Sequence, residues 1–135
     1  MKTGREAISA VVLDASAVLA LLNGEPGAEA VSNHLPGAYL SAVNAAEVAG
    51  KLVDGGASPE QAGQVLDRLG ARIAAFDRDD VVPAARLRAA SRSFGLSLGD
   101  RACLALALRL GQPALTADRA WQDLETSVEV RLIRA

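Results

Sequence analysis

A chain of 135 residues that is half hydrophobic can bury one sizeable core, and with only four aromatic residues that core must be aliphatic. A formal net charge of −2 excludes a bulk electrostatic nucleic-acid binder, the single cysteine excludes an internal disulfide or a multi-cysteine metal site, and no uncharged apolar stretch is long enough to span a membrane. Asp14 interrupts the apolar region after Lys2 and Arg5, where a secretory core would run unbroken, so a soluble cytoplasmic protein is expected.

Residues 1–9 carry no strong pattern and read as a short extension of a single domain spanning 1–135. Ala10–Asp14 is an apolar run ending in a carboxylate, the pattern of a buried strand. A helix is expected from Ala15 to Leu22, stopped by the turn chemistry of Asn23–Gly27. A second helix runs from Pro26 or Gly27 to His34, and Leu35-Pro36-Gly37 breaks it. Ala38–Leu40 is a short strand. Ser41–Glu47 then opens a third helix, in which Asn44 suits the N-cap and Glu47 the capping-box acid three residues on. That helix ends at Gly55-Gly56, and Ser58-Pro59 starts a fourth that reaches about Leu69.

Arg72–Phe76 reads as a third strand, and Asp77–Asp80 as the acidic start of a helix continuing to about Ser93. Gly95–Gly99 is expected to be an irregular connector. Asp100 then caps Arg101–Leu110, whose residues Ala102–Leu108 are apolar on every face and so should be buried on several sides. Pro113–Thr116 is a fourth strand leading to Asp118, a short helix surrounds Trp121, and Val128–Ile133 is the last strand. Strands alternating with helices predict an α/β fold of three layers: a central, mostly parallel sheet of four to five strands with helices on both faces.

Asp14, Glu47, Asp100 and Asp118 each stand where a strand or connector gives way to a helix. In an open parallel sheet such places gather at the carboxyl edge of the strands, where ligands bind. Each acid also has a local role open to it: Asp14, Asp100 and Asp118 as N-caps, Glu47 as the partner of Asn44. Jointly, carboxylates crowded beside buried segments repel one another and resist desolvation, so proton uptake or a bound cation must relieve them. Oxygen ligands without His or Cys point to Mg²⁺ or Mn²⁺ rather than zinc. The chemistry that follows is phosphodiester hydrolysis by a metal-activated water.

Four segments carry these acids: Val11-Val12-Leu13-Asp14-Ala15-Ser16, Ser41-Ala42-Val43-Asn44-Ala45-Ala46-Glu47, Leu96-Ser97-Leu98-Gly99-Asp100-Arg101-Ala102-Cys103 and Leu115-Thr116-Ala117-Asp118-Arg119-Ala120-Trp121. They resemble the PIN domain, and more closely the VapC toxins of bacterial type II toxin–antitoxin pairs, over a span from about residue 10 to the end. The resemblance implies a Mg²⁺- or Mn²⁺-dependent endoribonuclease whose catalytic, metal-binding quartet is Asp14, Glu47, Asp100 and Asp118. Thr116 matches the hydroxyl residue that accompanies the last Asp. Ser16 and Asn44 stand beside site acids as supporting residues, with local capping equally open to them. A homodimer and a cognate VapB-like antitoxin, whose C-terminal segment covers the acidic groove, are implied as partners beside the RNA substrate. The apolar helices near Leu19–Leu22 and Val48–Val53 suit an exposed groove or, equally, a closed core. Half the positive charge lies on arginines between Arg68 and Arg101, a source of local field for an approaching RNA.

The alternative is a non-catalytic, Mg²⁺-binding α/β regulatory module. A phosphoacceptor receiver needs a lysine near its last strand, and Lys2 and Lys51, the two lysines, are not there. An aspartyl phosphotransferase usually opens with D-x-D, and Ser16 occupies that second position. His34 reads as a surface residue at a helix end, Cys103 as core packing, and Asp79-Asp80 as acids compensating a helix dipole.

Overall fold

The computed structural model describes residues 10–90 and 95–135. The extension expected at 1–9 and the final residues of the helix expected to reach Ser93 lie outside them.

Strand β1, Val11–Leu13, is fully buried. Successive side chains of a strand point to opposite faces, and this one feeds two separate cores. Val11 and Leu13 pack with Val18 of α1 (Ala15–Leu22), Val31 of α2 (Ala28–His34), Val48 of α3 (Ala42–Asp54) and Leu66 of α4 (Pro59–Leu69). Val12 packs on the other side with Trp121, with Leu87 of α5 (Arg78–Ala90) and with Cys103 and Leu104 of α6 (Leu98–Leu110). Each fully buried Val or Leu contributes roughly 1.5–3 kcal/mol, so this short strand ties both helical layers to the sheet.

The other strands are β2 (Ala38–Ser41), β3 (Arg72–Ala74), β4 (Ala114–Thr116) and β5 (Val130–Leu132). They lie in the order β3-β2-β1-β4-β5, and every pairing is parallel. The expected three-layer α/β arrangement is therefore the observed one. The chain builds from β1 outward through β2 and β3, then crosses back to β4, so strand order reverses between β1 and β4. Leu13 stands opposite Leu115 in that pair, and the Asp14 N–H donates to the Leu115 carbonyl at 3.1 Å. Asp14 and Thr116 thus leave the sheet side by side at its carboxyl edge.

Several boundaries differ from expectation, for local reasons. β3 ends at Ala74 rather than Phe76, because its one neighbour, β2, gives way to α3 after Ser41, which stands opposite Ala74. Helix α3 starts at Ala42 with Ser41 as its N-cap, the Ser41 Oγ accepting from the Val43 N–H at 3.2 Å. Asn44, expected to be that cap, is already helical and buried. Helix α6 begins at Leu98, not Arg101, because Ser97 and Asp100 form a reciprocal capping box. Ala102–Ala107 are buried as expected, whereas Leu108 is half exposed. Gly111, at φ +64°, ends α6 in the left-handed region and donates its N–H to Ala107 and Leu108 carbonyls, turning the chain toward β4.

On the α1–α4 side, Leu21, Leu22, Leu35, Val65, Arg68 and Leu69 line an open depression of about 280 Å³. Leu21 and Leu22 thus fit the open groove, and Val48 the closed core. Among the described residues, no helix is long and apolar enough to cross a membrane.

Candidate active site

The Asp14 side chain is 4% exposed and lies between the ends of β1 and β4. It is the N-cap of α1, with Oδ1 accepting from the Ala17 N–H at 2.8 Å and from the Ser16 hydroxyl at 2.7 Å. Its Oδ2 accepts from the Thr116 hydroxyl at 2.5 Å. Burial nevertheless pushes its pKa up to about 6, against the opposing pull of Thr116, Ser16 and the Ala17 amide. The neighbouring Asp100 charge adds to the rise.

Thr116 and Ser16 brace this carboxylate jointly. Ser16 Oγ also accepts from the Ala117 N–H at 2.9 Å, and Thr116 Oγ1 accepts from the Asp118 N–H at 3.0 Å. Each hydroxyl has one proton, and each directs it at Asp14. The hydroxyl of Thr116 therefore bonds the carboxylate of the first Asp and the backbone of the last one. The Asp118 carboxylate is exposed and caps the 3₁₀ turn Arg119–Asp123 through the Ala120 N–H at 3.0 Å.

Asp100 arrives from the head of α6, its Oδ2 accepting from the Ser97 N–H at 3.0 Å while Ser97 Oγ accepts from the Asp100 N–H at 3.1 Å. Ser97, inside the expected connector, is thus the N-cap, and Asp100, expected to be the cap, is the third helical residue that completes the box. Glu47 arrives from α3. Asn44, one turn earlier, donates through Nδ2 to Glu47 Oε1 at 3.1 Å and to the Gly99 carbonyl at 3.0 Å. Both partners are acceptors, which fixes the amide orientation and leaves the buried Asn44 Oδ1 without a hydrogen-bond partner among the described residues.

Cys103 is fully buried, within electrostatic reach of Asp14, Asp100 and Glu47. Its thiol pKa is raised by burial and then by the charges of Asp14, Asp100 and Glu47. The packing role expected for Cys103 is the observed one, since it belongs to the core cluster of Val12 and Leu104. On the β4 side the Asp118 backbone N–H reaches Thr116, while its carboxylate accepts from Ala120.

Among the described residues, no three His, Cys, Asp or Glu side chains close on one point to hold an ion unaided. Asp14, Asp100, Glu47 and Asp118 are each turned toward hydrogen-bond donors of the chain. The donor set still suits a hard divalent cation. It is all oxygen, and ion pairs among the described residues engage Asp80, Glu129 and Glu25, not these four acids. Mg²⁺ keeps several of its waters and needs only one or two direct carboxylates. The ionised Asp14 is disfavoured where it stands, which a cation would reverse.

Two further acids separate from the site. Asp80, read as a helix-start acid, is 2% exposed and paired with Arg109 of α6 at 3.1 Å. Asp123 closes the 3₁₀ turn and is exposed. Arg101, next to Asp100, turns away from the acids and donates to the Ala84 carbonyl at 3.3 Å.

A parallel α/β sheet that presents braced carboxylates at the reversal of its strand order belongs to the class that binds ligands at such a switch point. The family is given by the sequence match: the model of the PIN domain covers residues 11–126, and the chain belongs to the PIN domain family. No curated protein sequence shows significant similarity to it. Solved structures do. A toxin–antitoxin complex from Klebsiella pneumoniae superposes with a TM-score of 0.65 at 21% identity, covering 82% of this chain and 87% of the other. DNA-bound VapBC from Salmonella typhimurium gives 0.72 at 14% identity, covering 93% and 99%. VapBC-1 from nontypeable Haemophilus influenzae gives 0.71 at 19% identity, covering 93% and 98%. At these identities the likeness is one of fold.

Proposed function

We propose that this PIN domain is an endoribonuclease toxin of the VapC type, which hydrolyses RNA phosphodiester bonds with Mg²⁺ or Mn²⁺. The observation that carries the reading is that Asp14 stands at the β1/β4 switch point while Asn44 bridges Glu47 to Gly99, the residue before Asp100. The backbone of Asp118 is tied in through Thr116. The likeness in fold to toxin–antitoxin complexes supports it.

Asp14, Asp100, Glu47 and Asp118 would hold the ion, which supplies positive charge and Lewis acidity to the scissile phosphate. The rest falls to residues of the chain. Ser16 and Thr116 orient Asp14 and favour its ionised form. The Ser97 amide orients Asp100, and Asn44 orients Glu47. The exposed Glu47 and Asp118 leave the edge open to a phosphodiester, whereas Asp14 is buried. Exposed Arg68, Arg72, Arg78, Arg86 and Arg88 offset the acidic field for an approaching RNA.

In this reading a cognate antitoxin neutralises the enzyme in the cytoplasm, and a second copy of the chain completes a homodimer. The depression lined by Leu21, Leu22, Leu35 and Leu69 offers apolar surface for antitoxin docking. The test is cleavage of total RNA by the purified protein with Mn²⁺, with chelator, and with Asp100→Asn. Cleavage confined to the metal-loaded wild type is the expected result. Equal cleavage in chelator would remove the metal mechanism, and no cleavage of any RNA would favour a binding module.

A further inference from the structure

We infer that Gly99 is a positioning residue: its missing side chain is the seat of the Glu47 carboxylate, which Asn44 holds by a hydrogen bond. The inference rests on the reading of Glu47 as a site acid.

Gly99 is the second residue of α6 and is buried. Its backbone does not require glycine, because its φ is outside the left-handed region. Glycine is also a poorer helix former than alanine. Neither conformation nor propensity therefore accounts for it. Space does: a methyl group at residue 99 would overlap Oε1, Oε2 and Cδ of Glu47. The carboxylate thus lies against the Gly99 Cα at the positive end of α6, where a negative charge is favoured.

Asn44 completes the seat. One amide group donates both to Glu47 Oε1 and to the Gly99 carbonyl, so it references the acid to the helix that carries Asp100. Glu47 belongs to α3 and Asp100 to α6, and this bridge sets their separation.

The obstacle a Cβ would meet is the far end of an exposed, flexible side chain rather than backbone. An alanine at 99 therefore displaces Glu47 instead of disturbing the core. Gly99→Ala should keep or raise Tm, and should weaken Mn²⁺ binding measured by titration calorimetry roughly tenfold, as loss of a ligand-orienting contact does. Its crystal structure should show the Glu47 carboxylate moved off Asn44 Nδ2. In a Glu47→Asp background the shorter side chain leaves room for the methyl group, so adding Gly99→Ala should cost no further Mn²⁺ affinity.

An unmoved Glu47, unchanged Mn²⁺ affinity in Gly99→Ala, or a full additive loss in the double variant would each overturn the inference. If the wild type itself fails to bind Mn²⁺ and to cleave RNA, the proposed function falls. The crystal structure of Gly99→Ala then still decides the seat, by whether Glu47 has moved.

Discussion

The Thr116 hydroxyl donates to Asp14 Oδ2 across the β1/β4 junction and at the same time accepts from the Asp118 N–H. Two acids 104 residues apart in the chain are therefore joined through one buried oxygen. Thr116→Val keeps the shape and removes that oxygen. It should cost about 1–3 kcal/mol in urea denaturation, because a buried carboxylate oxygen and an N–H both lose a partner. Loss of the hydrogen bond also raises the Asp14 pKa, so the acid limb of the cleavage–pH profile should move to higher pH. Thr116→Ser should restore both.

Asp14 makes stability depend on pH in a defined direction. Its pKa is raised from 3.8 to about 6 on folding. An acid of this kind binds its proton more tightly in the native state, so ionisation costs stability. That cost is absent below about pH 3.8, grows between 3.8 and 6, and is fully present above, at roughly 3 kcal/mol. Asp14→Asn still caps α1, and the Thr116 hydroxyl can rotate to accept from the amide. The variant should be more stable than wild type by about 1–3 kcal/mol at pH 8, with the gap closing at pH 4. A gap that widened toward acid would contradict the assignment. Added Mn²⁺ should raise the Tm of wild type more than that of the variant.

The four acids should not be equal. Asp14 is buried between Thr116 and Ala17, and Asn44 links Glu47 to the helix of Asp100, while the exposed Asp118 carboxylate caps a turn. Asp100→Asn should reduce RNA cleavage to the chelator-treated level with Tm maintained. Asp118→Asn should retain measurable metal-dependent cleavage. Equal loss in single-turnover assays would place Asp118 on the same footing as the others.

Asp80 should matter to stability alone. Its buried carboxylate accepts from Arg109 Nε at 3.1 Å and from the Asp77 N–H at 3.2 Å. Asp80→Ala should cost roughly 1–2 kcal/mol, less than a fully enclosed pair, because the Arg109 side chain is 36% exposed. Cleavage per folded molecule should be unchanged.

Local patterns in the sequence were enough for the fold. The apolar run ending in Asp14, the breakers at Leu35-Pro36-Gly37 and Gly55-Gly56, and Ser58-Pro59 each act over a few residues, and the structure follows them. The placement of Asp14, Asp100 and Asp118 at helix starts was legible for the same reason, whereas Glu47 stands in the second turn of its helix. What stayed hidden depends on residues distant in the chain. Asn44 satisfies every local criterion of an N-cap, yet the Gly99 carbonyl, 55 residues away, claims its amide. Gly99 looks like a connector glycine until α3 lays Glu47 against it. Asp80 looks like a dipole acid until α6 brings Arg109. Sequence by itself determined which side chains could carry charge at the sheet edge, because strand and helix signals are short-range. Only the tertiary structure decided how each carboxylate is held, because hydrogen-bond partners and excluded volume come from packing between elements.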